Sequence, residues 1–90
     1  MEDNILIINL RDNVAVALRT MGGGELASAL GIEAFPILEA IPVSHKIALR
    51  NISQGEEIIK YGETVAVSLR SIKKGEWDHT HNLESKRGKK

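Results

Sequence analysis

Cysteine is absent from the chain, and aromatic residues are few. Without cysteine there is neither a disulfide framework nor a thiolate metal site. The three aromatic residues, Phe35, Tyr61 and Trp77, are too few for the stacking platforms of a nucleic-acid-binding surface. No apolar run is long enough to span a bilayer, and residues 5–8 lack the basic flank of a signal peptide. These absences predict a cytoplasmic protein that binds neither nucleic acid nor a membrane.

The chain is electrically neutral as a whole, but its two halves differ in charge. Twelve Lys and Arg residues balance twelve Asp and Glu residues. Residues 1–45 hold six acids and two bases, whereas residues 46–90 hold six acids and ten bases. The second half is therefore better suited to contact a carboxylate, a phosphate or an acidic partner. The alternative is that these bases solvate a sheet face and a loose tail at 84–90.

One strand-and-turn segment occurs three times along the chain. Each copy consists of Leu-Arg, a small polar residue, an apolar residue, two further residues and Gly-Glu. The copies begin at Leu18, Leu49 and Leu69 and end at Glu25, Glu56 and Glu76. Alternating apolar residues favour a half-buried strand, and the glycine supplies the positive φ of the turn. Because one such unit cannot bury its own apolar face, the copies are expected to share a core.

These strand and turn signals predict a small all-β domain with a minor helical part. At 90 residues the chain is expected to form a single domain over 1–83, followed by a flexible basic tail at 84–90. The expected elements are strands at 5–9, at 14–19 and from 43 onward, a helical turn at 25–30, an edge strand or connector at 35–42 and a tight turn at 60–63.

Four segments carry a resemblance to a known family. They are Ile41-Pro42-Val43-Ser44-His45-Lys46-Ile47-Ala48-Leu49, Gly55-Glu56, Ile59-Lys60-Tyr61-Gly62-Glu63 and His79-Thr80-His81-Asn82-Leu83. Together they resemble the SAF-type β-clip domain of altronate and galactarate dehydratases. That family usually has glycine where Ser44 stands, and another histidine and an apolar residue where Trp77 and Asp78 stand. The family's domain is either part of a long dehydratase or a separate small subunit, as in the related sulfolactate sulfo-lyase, and this chain is similar to the small subunit.

The resemblance implies a β-elimination on a sugar acid such as altronate. In that reaction a base removes the proton α to the carboxylate, and the 3-hydroxyl leaves as water to give a 2-keto-3-deoxy acid. It further implies a divalent metal, iron(II) or manganese(II), held by or shared with a large catalytic subunit. The isolated chain is then expected to be inactive, alone or as a homo-oligomer. The alternatives are the small subunit of a sulfolactate sulfo-lyase and a non-catalytic module for carbohydrate or carboxylate binding or for assembly.

Five residues are candidates for the site that the resemblance implies. His79 and His81, two positions apart in an extended segment, share a face and are the predicted metal ligands. A third ligand is expected from His45 or from the large subunit. His45 is alternatively the general acid or base, with Lys46 and Lys60 anchoring the substrate carboxylate. The competing interpretation is that these histidines and lysines only solvate strand faces and a chain end.

Other prominent side chains are predicted to be structural. The arginines of the repeat, Arg19, Arg50 and Arg70, are interpreted as outward-facing partners of the repeated glutamates and not as an anion-binding cluster. Tyr61 is expected to pack as a half-buried aromatic residue in a turn. Trp77 is expected to anchor an interface.

Overall fold

The structure, a computed structural model, describes residues 3–78, which form short strands and turns. The strands are β1 (Ile5–Leu6), β2 (Val14–Ala17), β3 (Leu26–Ala27), β4 (Phe35–Pro36), β5 (Lys46–Ala48), β6 (Glu57–Lys60), β7 (Glu63–Val67) and β8 (Trp77–Asp78). The predicted all-β class is confirmed, while the strands expected at 5–9 and 14–19 are shorter than predicted. Residues 3–78 contain no helix that could cross a bilayer.

The helical turn predicted at 25–30 is wrong, and residues 3–78 contain no helix at all. Leu26 and Ala27 instead form β3, which pairs antiparallel with β4. Ala27 is fully buried in the core beside Phe35. Helix propensity in this short segment is weak, and burial against a partner strand overrides it. Of the edge strand or connector predicted at 35–42, only Phe35–Pro36 forms a strand, β4, in a ribbon of two strands, and Ile41 forms an isolated bridge.

A central sheet of four strands separates two layers of apolar side chains. Its strand order is β1-β2-β5-β8, and every neighbouring pair is antiparallel. Because side chains alternate along a strand, Ala15 and Ile47 lie on one face, where they join the first core cluster with Phe35 of β4. Ala48 lies on the other face, where it joins the second core cluster with Ile58 of β6. We call these the β3-β4 face and the β6-β7 face.

Four turns of one shape connect the strands, which is one more than the three-copy repeat predicts. The additional copy begins at Leu38-Glu39 and ends at Ser44-His45, so serine and histidine replace the usual Gly-Glu. In chain order, the copies beginning at Leu18, Leu38, Leu49 and Leu69 are called copies A, B, C and D. The turn residues have left-handed φ angles of 92° at Gly24, 72° at Ser44, 87° at Gly55 and 91° at Gly75. Each turn is closed by one backbone bond, Glu25 N to Gly22 O, His45 N to Pro42 O, Glu56 N to Ser53 O and Glu76 N to Lys73 O.

The four copies associate as two reciprocal pairs. Met21 of copy A and Ile41 of copy B exchange two backbone hydrogen bonds of 2.9 Å. Ile52 of copy C and Ile72 of copy D do the same at 2.8 and 2.7 Å. All four side chains are buried, the first two in the first core cluster and the last two in the second. Full burial of such a side chain contributes roughly 1.5–3 kcal/mol, which explains the apolar position of the repeat.

The tight turn predicted at 60–63 is confirmed and joins β6 to β7. Tyr61 and Gly62 both have positive φ, 58° and 78°, as a type I′ hairpin turn requires. The carboxylate of Asp12 accepts a hydrogen bond of 2.8 Å from the backbone N–H of Gly62. The Tyr61 ring is half exposed, with the Lys60 ammonium 4.9 Å from its centroid. The hairpin is thereby tied to the loop that follows β1.

Candidate functional site

In copies A, C and D the arginine and the glutamate form the same contact. The Arg Nη1 to Glu Oε distances are 2.9 Å for Arg19 and Glu25, 2.6 Å for Arg50 and Glu56, and 3.6 Å for Arg70 and Glu76. Each arginine also donates to the carbonyl of the next residue, and each glutamate accepts from a backbone N–H three residues before it. We call this arrangement the Arg-Glu clasp. The predicted pairing is confirmed, and its exposure marks it as a weak structural contact.

The clasp also affects the acidity of its carboxylates. The hydrogen bond from the backbone N–H of Gly22 is the main cause that holds the pKa of Glu25 below its ordinary value; burial opposes it, and the hydrogen bond and charge of Arg19 lower the pKa further. The pKa of Glu56 is lowered in the same way, first by the backbone N–H of Ser53 and then by Arg50. These glutamates are therefore ionised, hydrogen-bonded parts of a turn and are unsuited to proton transfer near neutral pH.

Copy B has no Arg-Glu clasp because all three of its parts are replaced. Glu39 stands at the arginine position and His45 at the glutamate position. Pro42 stands where the other copies supply the backbone N–H, and proline has none to donate. The Glu39 carboxylate instead accepts a hydrogen bond of 2.9 Å from the backbone N–H of Trp77. The His45 ring meets the Trp77 ring edge-on, with centroids 5.1 Å apart and planes at 84°.

Glu39 is a site residue that the sequence alone did not indicate. The repeat was recognised by its Gly-Glu ending, which copy B lacks. The signal was nevertheless available, because Leu38-Glu39-Ala40-Ile41 matches the spacing of Leu18-Arg19-Thr20-Met21. Trp77, expected as an interface anchor, is half-buried and packs against the first core cluster. Copy B and β8 thus meet at one end of the central sheet.

Lys46 and Lys60 lie within electrostatic reach of each other on the β6-β7 face. Lys46 is directly opposite Asp78 in the β5-β8 pairing, and Asp78 is only 2% exposed. Burial lowers the pKa of Lys46, the Asp78 carboxyl acts in the opposite direction, and the Lys60 ammonium lowers it further. Lys60 is itself directly opposite Glu63 in the β6-β7 pairing, so each of the two lysines has one carboxyl as its cross-strand partner. The two neighbouring ammonium groups are the groups on this face that suit a carboxylate ligand.

The imidazole of His45 lies on the other face from these two lysines. Trp77, whose ring contacts His45, is opposite Ile47 on the β3-β4 face. Lys46 lies between His45 and Ile47 in the chain, and its side chain points to the β6-β7 face with that of its cross-strand partner Asp78. The structure therefore brings Lys46 and Lys60 together but does not bring His45 to them. One small ligand cannot contact both sets through this chain alone.

The predicted metal ligands His79 and His81 lie outside the described residues. Among residues 3–78, no three His, Asp or Glu side chains are grouped as ligands of one metal ion. His45 is exposed and remains available as a single donor, whereas Asp78 is buried beside Lys46. Within residues 3–78, His45 is thus a single exposed imidazole and not part of a ligand cluster.

The fold and these turns define a small all-β domain built from four related strand-and-turn copies. Residues 3–86 match the family model of the altronate/galactarate dehydratase SAF domain. The chain belongs to this family, and the resemblance carried by its motifs is confirmed.

Curated relatives are lyases of two kinds. The (2R)-sulfolactate sulfo-lyase subunit alpha of Chromohalobacter salexigens is 40% identical over 53 residues, which cover 59% of this chain and 56% of that protein. The same subunit of Paracoccus pantotrophus is 38% identical over 47 residues, 52% of this chain and 70% of that protein. The altronate dehydratase of Bacillus subtilis is 36% identical over 78 residues, 87% of this chain but only 16% of the enzyme. The chain thus matches a little over half the length of the first of these relatives and only a small part of the dehydratase.

Proposed function

We propose that this chain is the small subunit of a metal-dependent hydro-lyase that dehydrates a sugar acid such as altronate to a 2-keto-3-deoxy acid. The observation that carries the proposal is the family match over residues 3–86, together with relatives named as dehydratases and as subunit alpha of a lyase. In this proposal a large partner chain supplies most of the site and the isolated chain is inactive, which is supported by relatives named as subunit alpha and by a dehydratase relative far longer than its matching part.

The substrate carboxylate is anchored by Lys46 and Lys60 in this proposal. Burial makes the Lys46 ammonium poorly solvated, as the direction of its pKa shift indicates. An arriving carboxylate replaces the missing solvation and gains a charge-assisted hydrogen bond. The two lysines also disfavour each other, and an anion between them relieves that repulsion. Binding of a sugar acid is therefore expected to weaken with added salt.

His45 is the proposed acid or base, and His79 and His81 are the proposed ligands of iron(II) or manganese(II). Histidine is the side chain best suited to proton transfer near neutral pH, and Trp77 limits the orientation of the His45 ring. The chemistry that a bound metal supplies is Lewis-acid polarisation of the departing hydroxyl. Because His45 and the lysines face opposite ways, residues of the large subunit complete the site on at least one face.

The test begins with affinity purification of the tagged chain from its native lysate. The expected result is a stoichiometric large companion that contains iron or manganese and releases a 2-keto-3-deoxy acid from altronate. Lys46→Ala in this complex is expected to raise KM, because the anchor binds ground state and transition state alike, whereas His45→Ala is expected to lower kcat. Lys73→Ala, which changes an exposed turn lysine, is the matched control and should leave both constants unchanged. Purified complex without dehydratase activity would refute the hydro-lyase function.

A second candidate function is elimination of sulfite from sulfolactate. The relative with 40% identity, named sulfolactate sulfo-lyase subunit alpha, favours it. The discriminating measurement compares sulfite released from sulfolactate with keto acid released from altronate, using the same purified complex. A complex that acts on sulfolactate alone replaces the first proposal with this one.

A third candidate is a non-catalytic assembly module, favoured by apolar side chains at the loop tips. Leu10 and Leu30 are almost fully exposed, and Leu69 is 62% exposed, which a partner surface would cover. If the chain only assembles its partner, replacing both His79 and His81 with alanine leaves turnover unchanged. A large loss of activity in an intact complex excludes this candidate.

A further inference from the structure

The backbone N–H and the backbone carbonyl of Trp77 are each hydrogen-bonded to a side chain, and the two side chains come from equivalent positions of two copies. Glu39 of copy B accepts from its backbone N–H at 2.9 Å, and Arg70 of copy D donates to its carbonyl through Nη2 at 3.4 Å. Each of these residues stands directly after the leucine that begins its copy. The position that carries arginine in three copies therefore carries the opposite charge in copy B, where its carboxylate accepts from the Trp77 N–H.

We propose that copy B is a modified clasp in which Glu39 is a positioning residue, fixing Trp77 and, through it, the proposed site residue His45. The inference rests on the proposed function for its effect on turnover, but not for its effect on Trp77. It assigns to Glu39 a role different from that of the arginines at the equivalent positions of copies A, C and D.

Copy B lacks the clasp because three positions, 39, 42 and 45, differ together from those of the other copies. An arginine at position 39 would find no glutamate at position 45 to pair with. A glutamate at position 45 would find no backbone N–H at Pro42 to accept from. With both partners replaced, the Glu39 carboxylate is available to Trp77 and the His45 ring is available to the Trp77 edge. Copies A, C and D keep all three clasp parts, and their arginines and glutamates pair with each other.

Displacing Trp77 moves several groups together. Its ring sets the orientation available to His45. Its backbone begins β8, and the next residues along the chain are Asp78, which faces Lys46, and His79. A hydrogen bond to an ionised acceptor is shorter and stronger than one between neutral groups, so Glu39 is an effective anchor for this peptide unit. One carboxylate thereby holds the start of β8, whose second residue faces Lys46.

The test uses Trp77 itself, the only tryptophan in the chain, as a fluorescent reporter in the full-length protein. Glu39→Ala removes the acceptor and is expected to shift the Trp77 emission and increase its quenching by acrylamide. Glu39→Gln keeps an acceptor oxygen and is expected to restore both properties toward the original values. Arg50→Ala, the same position in copy C, breaks an ordinary clasp and should leave the Trp77 emission unchanged. All spectra are taken well below the melting temperature of each variant.

Turnover is then measured in the purified complex with altronate. Glu39→Ala is expected to lower kcat about tenfold with little change in KM, on the scale of other groups that orient a site from outside it. Arg50→Ala is expected to keep full kcat. Unchanged Trp77 emission in Glu39→Ala, or an equal change in Arg50→Ala, would overturn the positioning role. A Trp77 change in a complex without dehydratase activity would support the positioning role and reject the function on which its catalytic consequence rests.

Discussion

Ser44 occupies the turn position at which the other three copies have glycine, and replacing it with glycine is expected to stabilise the fold. Its φ of 72° lies in the left-handed region, as do those of its counterparts at 87–92°. A residue with a Cβ costs roughly 1–2 kcal/mol in this conformation relative to the ordinary helical one. The backbone hydrogen bond from Ser44 N to Ala17 O, 2.8 Å, needs no side chain and persists in the variant.

The net gain from Ser44→Gly is smaller than the strain it removes. Glycine has more freedom in the unfolded chain, and fixing it takes back roughly 0.5–1 kcal/mol. The expected increase in the free energy of unfolding is therefore about 0.5–1 kcal/mol. For a domain of this size that corresponds to a rise in melting temperature of about 2–8 °C.

The reverse substitution in copy C provides a matched control. Gly55 has a φ of 87°, and a Cβ placed there meets no atom within 4 Å, so Gly55→Ser introduces strain without a clash. It is expected to lower the free energy of unfolding by about the amount that Ser44→Gly raises it. Urea unfolding of both variants, with the denaturant slope checked for constancy, measures the two changes. A neutral or destabilising Ser44→Gly beside a destabilising Gly55→Ser would refute the reasoning for position 44.

Three further predictions follow from single contacts. Asn13→Ala should lower the free energy of unfolding by about 2–3 kcal/mol, as measured by urea unfolding. The buried side-chain amide of Asn13 accepts from the Ile59 N–H and donates to a backbone carbonyl of β6, each at 2.8 Å. A loss below about 0.5 kcal/mol would contradict this prediction. Gly75→Ala should cost more than Gly55→Ala, because its Cβ would lie 2.6 Å from the carbonyl oxygen of Pro36; equal melting temperatures would argue against this. The pKa of Lys46 is lower in the folded protein than in the unfolded chain, so the unfolded chain binds more protons between those two pKa values. The free energy of unfolding should therefore rise with pH over that interval. Lys46→Met should flatten this rise, and an unchanged pH profile would show that Lys46 is not its source.

The candidate site was predictable in part. The sequence motifs predict that Lys46 and Lys60 anchor a carboxylate, and in the structure the Lys60 ammonium is close enough to affect Lys46 electrostatically. That remains a proposal until a ligand is bound. The separation of His45 from Lys46 follows from alternation along one strand, but it became visible only once pairing had shown which face holds Trp77. Glu39 was missed, because its partner is a backbone N–H 38 residues away.

The sequence by itself determined the local units of this protein. The φ preference of glycine explains its presence in three of the four turns and in the tight turn at 60–63. The two-residue periodicity of side chains explains the alternating apolar residues of the strands. Both depend on only a few neighbouring residues. The pairing of Arg50 with Glu56 and of its two counterparts is local in the same sense.

Only the tertiary structure decided which copies pair and what copy B does. Backbone hydrogen bonds join copy A to copy B and copy C to copy D, and these choices depend on burying Met21 with Ile41 and Ile52 with Ile72. Pairing between distant strands also turned the segment at 25–30 from a plausible helical turn into β3. Burial and register are properties of the whole chain, so neighbouring residues alone do not specify them.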